Sequence, residues 1–584
     1  MTGREPKVMA EYLSPGVYVE EFDSGATPMQ GVGTSTAGFV GLAERGPIGG
    51  APVLVASPSD FTRKFGGYLQ ANEFGQYRFL AYAVHNFFAN GGSRAFISRV
   101  VPPDAEIAKG VCKKGKEGLV NIEAKNPGAW GDNVIVTFSP SSDSKTQILE
   151  VIDKTGVYRL KNAVGFDVGD IVVVEGGGKS QYNRVKAARG NTITFDKPFE
   201  GDVVDDNISP RIVIKTCGID VKVECDGTEE VYEGVSLNVS DPSFIEKKMI
   251  RSDLVNIKVT PPKEAIAPIE FLKGVFGGEK DEEFVKAMLK GGLNGSAASI
   301  TDNDFIGKDD GPGSRTGIQA FLDNTDVSIM AVPGITSLNV QLSLVNHCEN
   351  LASRFAVIDM PLNNKSVPDV LKYRDSFDSD YCAVYHPWLK VFDPLDKKDI
   401  FIPPSGSVLG VFARSDNSRG VHKAPANEVI ANCTGLSVNY SVGEQDLLNP
   451  KGVNLIRKFP GAGIRIWGAR TASSKPLWKY VNVRRLFIYL EESIKSNTNW
   501  VVFEPNDAGL WSRVKRTIEL FLEGVWRSGG LVGGSPSDAF FVDIGPNTMT
   551  KDDIDLGRLI CVIGVAPVKP AEFVIFRITQ KTGE

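Results

Sequence analysis

The chain has 584 residues, 42% hydrophobic and 23% charged, the profile of a globular protein long enough for about four domains. Asp and Glu outnumber Lys and Arg by 71 to 65, and the net charge of -6 excludes a global basic field for nucleic acid or anionic lipid. Seven scattered cysteines (112, 217, 225, 348, 382, 433 and 561), odd in number, predict reduced thiols rather than a disulfide framework. The opening MTGREPKVMAEYL lacks the apolar core of a secretory signal, and the longest apolar run, near 559–568, is too short to span a bilayer, so assembly in the cytoplasm is expected.

In chain order, residues 1–22 read as an arm. Ser14-Pro15-Gly16 makes a turn, and VYVEEF is a strand with Val17 and Val19 on one face and Tyr18, Glu20 and Phe22 on the other. Residues 23–36, rich in Gly, Ser and Thr, read as a linker. An α/β unit follows, with strands at 37–42 and 95–101 and a helix at 74–90 closed by Gly91-Gly92. From 105 to 299 short strands and turns predict a β-rich insertion. It holds one helix before a strand within 237–259 and a Gly-rich, charged, mobile loop at 274–295. The α/β pattern resumes with helices at 318–322, 338–353 (Ser337 as N-cap) and 367–375 and strands at 327–332, 354–359 and 381–391. That order implies a mostly parallel sheet layered by helices and split by the insertion.

The fold expected is therefore α/β and α+β multidomain. It comprises an arm at 1–22, a split α/β domain at 23–104 and 300–395, an outer insertion at 105–299, an α+β domain at 396–570, and a terminal strand arm at 571–584. In the last domain a helical stripe runs through Leu510, Trp511, Val514, Ile518, Phe521, Leu522, Val525 and Trp526, with Arg513, Lys515, Arg516 and Arg527 off it. Residues 559–565 read as a buried strand. Pro567 and Pro570 then break it, and Phe573, Val574, Ile575, Phe576 and Ile578 form a second β-rich run. A terminal strand of this kind is the edge of its own sheet or a donor to another.

No catalytic, cofactor or metal site is indicated. Gly178-Lys179-Ser180 ends like a phosphate-binding loop, but Val173 stands where the first glycine belongs and no helix follows, so it reads as a hairpin turn. Ser93 follows a helix and precedes a strand, the reverse of a nucleophile elbow. His85, His347, His386 and His422 have no metal-ligand spacing, and His85 reads as a packed core residue. Two other readings stay open: an α/β enzyme with an unrecognised active site, and a surface-binding module carried by the insertion.

Several long strings recur in order: SPGVYVEE (14–21), NFFANGGSRAFISRV (86–100), NPGAWGDNVIV (126–136), PPSGSVLGVFARSD (403–416), RGVHKAPANE (419–428), LLNPKGVNLIRKFPGAGIRIWGART (447–471), WKYVNVRRLFIYLEESI (478–494), WVVFEPND (500–507) and GVAPVKPAEFVIFRITQK (564–581). Through them the chain resembles the contractile tail sheath proteins of phage tails, R-type pyocins and phage-tail-like injection particles. The resemblance covers roughly 11–101, a patch near 126–136 and most of 316–581. It implies a structural subunit, not an enzyme, that polymerises as stacked six-subunit rings around an inner tube protein and meets baseplate and terminator proteins. No nucleic acid, membrane insertion or cofactor is implied. It also implies that Val17, Tyr18, Val19, Phe22, Phe573, Val574, Ile575, Phe576 and Ile578 lie on strands donated to neighbours, with 23–36 and 566–570 as hinges. Arg513, Lys515 and Arg516 would then face the tube, with Arg484 and Arg485 as competing candidates.

Overall fold

The computed structural model describes residues 29–116, 118–153, 155–176, 178–201, 212–278, 282–573 and 575. These form two compact units, one from residues 33–488 and 569 onward, the other from 29–32 and 489–568.

The larger unit holds a nine-stranded sheet of β1 (Ala37–Leu42), β2 (Val53–Val55), β3 (Ala95–Val100), β4 (Ile329–Ala331), β5 (Phe355–Asp359), β6 (Cys382–His386), β7 (Glu428–Val429), β8 (Val453–Phe459) and β9 (Gly463–Ile466). The order is β2-β3-β1-β4-β5-β6-β8-β9-β7. The six strands from β3 to β8 are parallel; β2 pairs antiparallel at one edge, and at the other end β9 pairs antiparallel with both β8 and the edge strand β7. Strands β1, β5 and β6 are buried on both faces, which is why they read as unbroken apolar runs. Phe39, Phe355, Val357 and Tyr385 enter one core, and Val40, Ala356, Ile358 and Val384 the other. The sheet runs through residue 396, where the sequence reading placed a boundary, because β8 pairs with β6 from Val384–Val453 to His386–Leu455.

Helices α1 (Leu80–Ala89) and α2 (Ser405–Arg419) pack in the first of these cores. A Cβ at Gly406 would strike the backbone of Ala83, and one at Gly410 the carbonyl of Phe87, so two glycines four residues apart let the helices approach closely. At the C-terminal end of β5, Asp359 is buried. It accepts hydrogen bonds from the Ser405 amide (3.0 Å) and hydroxyl (2.6 Å) and the Gly334 amide (3.1 Å), capping the start of α2. Burial pushes its carboxyl up to about 6, against the pull of those hydrogen bonds.

The insertion contains two β assemblies. Six strands, Lys145–Asp153, Val157–Leu160, Ile171–Gly176, Lys179–Arg189, Thr192–Phe195 and Val213–Thr216, form a closed barrel with its own core of Tyr158, Val172, Val174, Phe195 and Ile214. The flanking segments build a seven-stranded antiparallel sheet. The Gly178-Lys179-Ser180 string sits at a hairpin, with Lys179 paired to Gly176.

Several expectations need correction. The stretch 274–295 contains a strand, Val285–Lys290, in which Val285, Ala287 and Leu289 are buried, a period of two masked by the Gly- and Lys-rich composition. The strand expected at 381–391 is two, β6 and Leu389–Asp393, in different sheets, with Pro387 between them. The first helix is α only from Leu80, and Gly317–Asp323 is a 3₁₀ turn. Ser337 does not cap with its side chain; its hydroxyl donates to Asp302 (2.5 Å). Gly406→Val is expected to lower stability by about 1–3 kcal/mol in thermal unfolding, since the facing group is backbone. Gly443→Ala, where a Cβ meets nothing within 4 Å, should leave the melting temperature unchanged or slightly higher.

Candidate assembly surface

The smaller unit holds the helix anticipated from the apolar stripe. Helix α3 (Val481–Asn497) precedes it, and α4 (Ala508–Arg527) is N-capped by Asp507, whose carboxylate accepts the Leu510 amide at 2.8 Å. Leu510, Val514, Thr517, Ile518, Phe521, Leu522 and Val525 are buried. Arg513, Arg516, Leu520 and Arg527 share the exposed side. Arg513 pairs with Glu504 (3.2 Å), Lys515 with Glu519 (3.9 Å) and Arg527 with Glu523 (2.5 Å). Arg516 is exposed without an ion pair among the described residues. The three expected tube-facing cations thus share one helix, two of them already neutralised within the chain.

Arg484 and Arg485 do not compete with them. In the larger unit Arg485 makes a bidentate pair with Asp416 (3.0 and 2.6 Å), both side chains 3% exposed, and lies 4.7 Å over the Phe412 ring. Arg484 pairs with Asp380 and stacks between the Trp478 (3.5 Å) and Tyr381 (4.5 Å) rings. The signal was present in sequence: Val481, Arg484, Arg485 and Ile488 have i, i+3, i+4, i+7 spacing, so both arginines share a face with core residues.

Beside α4 lies a hairpin of β10 (Phe540–Ile544) and β11 (Cys561–Val565), in register from Phe540–Val565 to Ile544–Cys561. These two strands are a complete sheet among the described residues. The strand expected to be buried at 559–565 is therefore only partly covered. Val562 is exposed, as is Phe541, at 58%, on the partner strand.

Of the arm residues, Val17, Tyr18, Val19, Phe22, Val574, Phe576 and Ile578 lie outside the described residues; Phe573 and Ile575 are exposed. The segments next to both expected arms are well tied. Within the smaller unit, Gln30 exchanges hydrogen bonds with Asn497 (3.2 and 2.9 Å), and the Val32 amide donates to Ser493 (3.1 Å). Within the larger, Thr34 donates to Asp416 (2.7 Å) and accepts from Arg485 (2.9 Å) at its carbonyl. Residues 30–36 are docked rather than a free linker. Ala566 and Val568 are likewise bonded to Val532 (2.8 Å) and Gly530 (3.3 Å), so 566–568 of the second expected hinge, 566–570, are docked.

Beyond it Glu572, missed in the sequence, is clamped. Its carboxylate accepts two hydrogen bonds from Arg470 (2.7 and 2.6 Å), one from Asn449 (2.9 Å) and one from Tyr480 (3.2 Å). Burial works against the charge, but the Arg470 and Asn449 hydrogen bonds and the nearby cations hold its pKa below the usual value.

Two histidines are internal. His347 contacts Arg354 (3.2 Å), and burial lowers it to about 3; His386 contacts Tyr440 (2.9 Å) and falls to about 4 for the same reason. All seven cysteines are free thiols. Among the described residues no cluster of three His, Cys, Asp or Glu side chains could hold a metal, and no helix is long and apolar enough to cross a membrane.

Two family models match consecutively, the phage tail sheath protein central domain over 310–472 and the phage tail sheath C-terminal domain over 473–581. The chain belongs to the contractile tail sheath family. It is similar to the tail sheath protein of Escherichia phage P2, 27% identical over 48% of this chain and 72% of that one. It is also similar to a putative prophage major tail sheath protein of Pseudomonas aeruginosa (strain UCBPP-PA14), 25% identical over 47% and 71%. Its fold matches the contracted PVC sheath of an extracellular contractile injection system with a TM-score of 0.51, at 21% identity over 98% of this chain and 99% of that one. It is therefore a structural sheath subunit, and the enzyme reading is not favoured.

In this sheath subunit, Arg485→Ala should cost about 3–5 kcal/mol, because Asp416 is left buried without its partner. Arg516→Ala should change stability by less than about 0.5 kcal/mol. Urea unfolding of the two variants checks the contrast.

Proposed function

We propose that the subunits are linked by strand donation onto the β10–β11 hairpin. The observation that carries this is a two-stranded sheet with both outer edges unpaired among the described residues, in a chain whose two ends are β-rich. Residues 17–22 and 573–578 are the donors. The clamp at Glu572 and the docked stretch 30–36 fix where each arm leaves its own subunit. The subunits stack as six-membered rings around an inner tube, bounded by baseplate and terminator proteins, and assemble in the cytoplasm without cofactor or nucleic acid. The exposed face of α4 turns to the tube through Arg516, with Arg513 and Lys515 available if their intramolecular pairs exchange.

Magnitudes set the order of events. About five backbone hydrogen bonds at roughly 0.5–1.5 kcal/mol each hold a donated strand. An exposed ion pair is worth about 0.2–1 kcal/mol and weakens with salt. The arms hold while the tube contacts release, and rigid subunits rotate outward on short linkers from a metastable extended lattice, driving the tube through a target envelope.

The insertion barrel supports a second role beside this one, as a separable surface-binding module. The Ser144 and Thr216 backbones are bonded at its neck (2.9 Å), and its core is its own. Deleting residues after Glu572, which keeps the Arg470 clamp, is expected to yield a folded monomer that forms no sheath in negative-stain electron microscopy; normal tubes would contradict strand donation. Replacing 145–215 by a short turn should leave tube formation intact in the same assay.

A further inference from the structure

Between α3 and α4 the backbone makes a tight turn over residues 501–504, closed by the Glu504 amide donating to the Val501 carbonyl at 3.2 Å. Val502 has φ -67° and ψ 130°, and Phe503 has φ 69°. These are the angles of a type II turn, whose third position calls for glycine or asparagine. A bulky residue there is a real backbone outlier. Packing offers no compensation, since Phe503 is fully exposed (102%) and Val502 beside it is exposed as well.

The turn is nevertheless braced on both sides. Arg513 pairs with Glu504 (3.2 Å) and lies 5.6 Å over the Trp500 ring. Asn506 accepts from the Trp511 indole (2.7 Å) and donates to the Arg558 carbonyl (2.9 Å). A strained aromatic held out on a rigid turn loses little freedom on docking, as interface anchors require.

We infer that Phe503 is an anchor by which one copy of the chain docks into an apolar depression on a second copy. This rests on the reading of the chain as a polymerising subunit. A sheath subunit packs against its own kind, and the same unit exposes further apolar side chains at Phe541, Leu556 and Val562, whereas the face offered to the tube is charged. A knob on one surface meeting a hole on another gives an open, helical polymer rather than a closed dimer.

Phe503→Gly separates this from a role in folding. Its melting temperature should equal or exceed that of the parent, because glycine suits the positive φ, while sheath yield at fixed concentration falls at least ~10-fold. Phe503→Tyr should keep both properties. A photo-crosslinking p-benzoylphenylalanine at position 503 in intact particles should join two copies of this chain. Full assembly of Phe503→Gly, a lowered melting temperature, a crosslink to the tube subunit alone, or no crosslink would each overturn the inference. Failure of strand donation is read separately, as normal assembly after deletion beyond Glu572.

Discussion

A two-stranded antiparallel ribbon leaves one outer edge of backbone donors and acceptors on each strand, and a ribbon of this size is marginal in water unless something covers it. In this chain α4 covers one face of β10–β11, and the chain itself brings no third strand to either edge among the described residues. Everything else in the smaller unit is finished: the helix is capped, its apolar stripe is buried, and the loop before it is braced. Among the described residues of the smaller unit, the hairpin is a sheet whose hydrogen-bonding capacity exceeds what its own chain supplies. In the proposed account, polymerisation satisfies it.

Charge is arranged on the same logic of finished and unfinished surfaces. Asp416 receives Arg485 and Thr34, Glu572 receives Arg470 and Asn449, and Asp359 caps α2. The first two of these groups hold Thr34 and Glu572 to the larger unit. The cations on the outer face of α4 are exposed and loosely paired, which would suit the releasable tube contact proposed above.

The parallel core was legible because strands buried on both faces leave continuous apolar runs, as in FAVID at β5, and because glycine and proline punctuate their ends. The stripe from Leu510 to Val525 was legible for the analogous helical reason. Composition hid the strand Val285–Lys290, whose alternating buried residues sit among glycines and lysines. Charge type alone misled at Arg484 and Arg485, where the spacing to Val481 and Ile488 held the answer. Glu572 and Phe503 were not legible. The first depends on partners about a hundred residues away, and the second on a backbone angle that no local pattern announces.

The central claim is that assembly completes the hairpin. Hydrogen exchange of the amides in Phe540–Ile544 and Cys561–Val565, compared between monomer and assembled sheath, tests it most directly. The account predicts that amides along the outer edges exchange fast in the monomer and become protected on assembly, while the core strand Phe355–Asp359 is protected in both states. Equal exchange of β10 and β11 in the two states would contradict it.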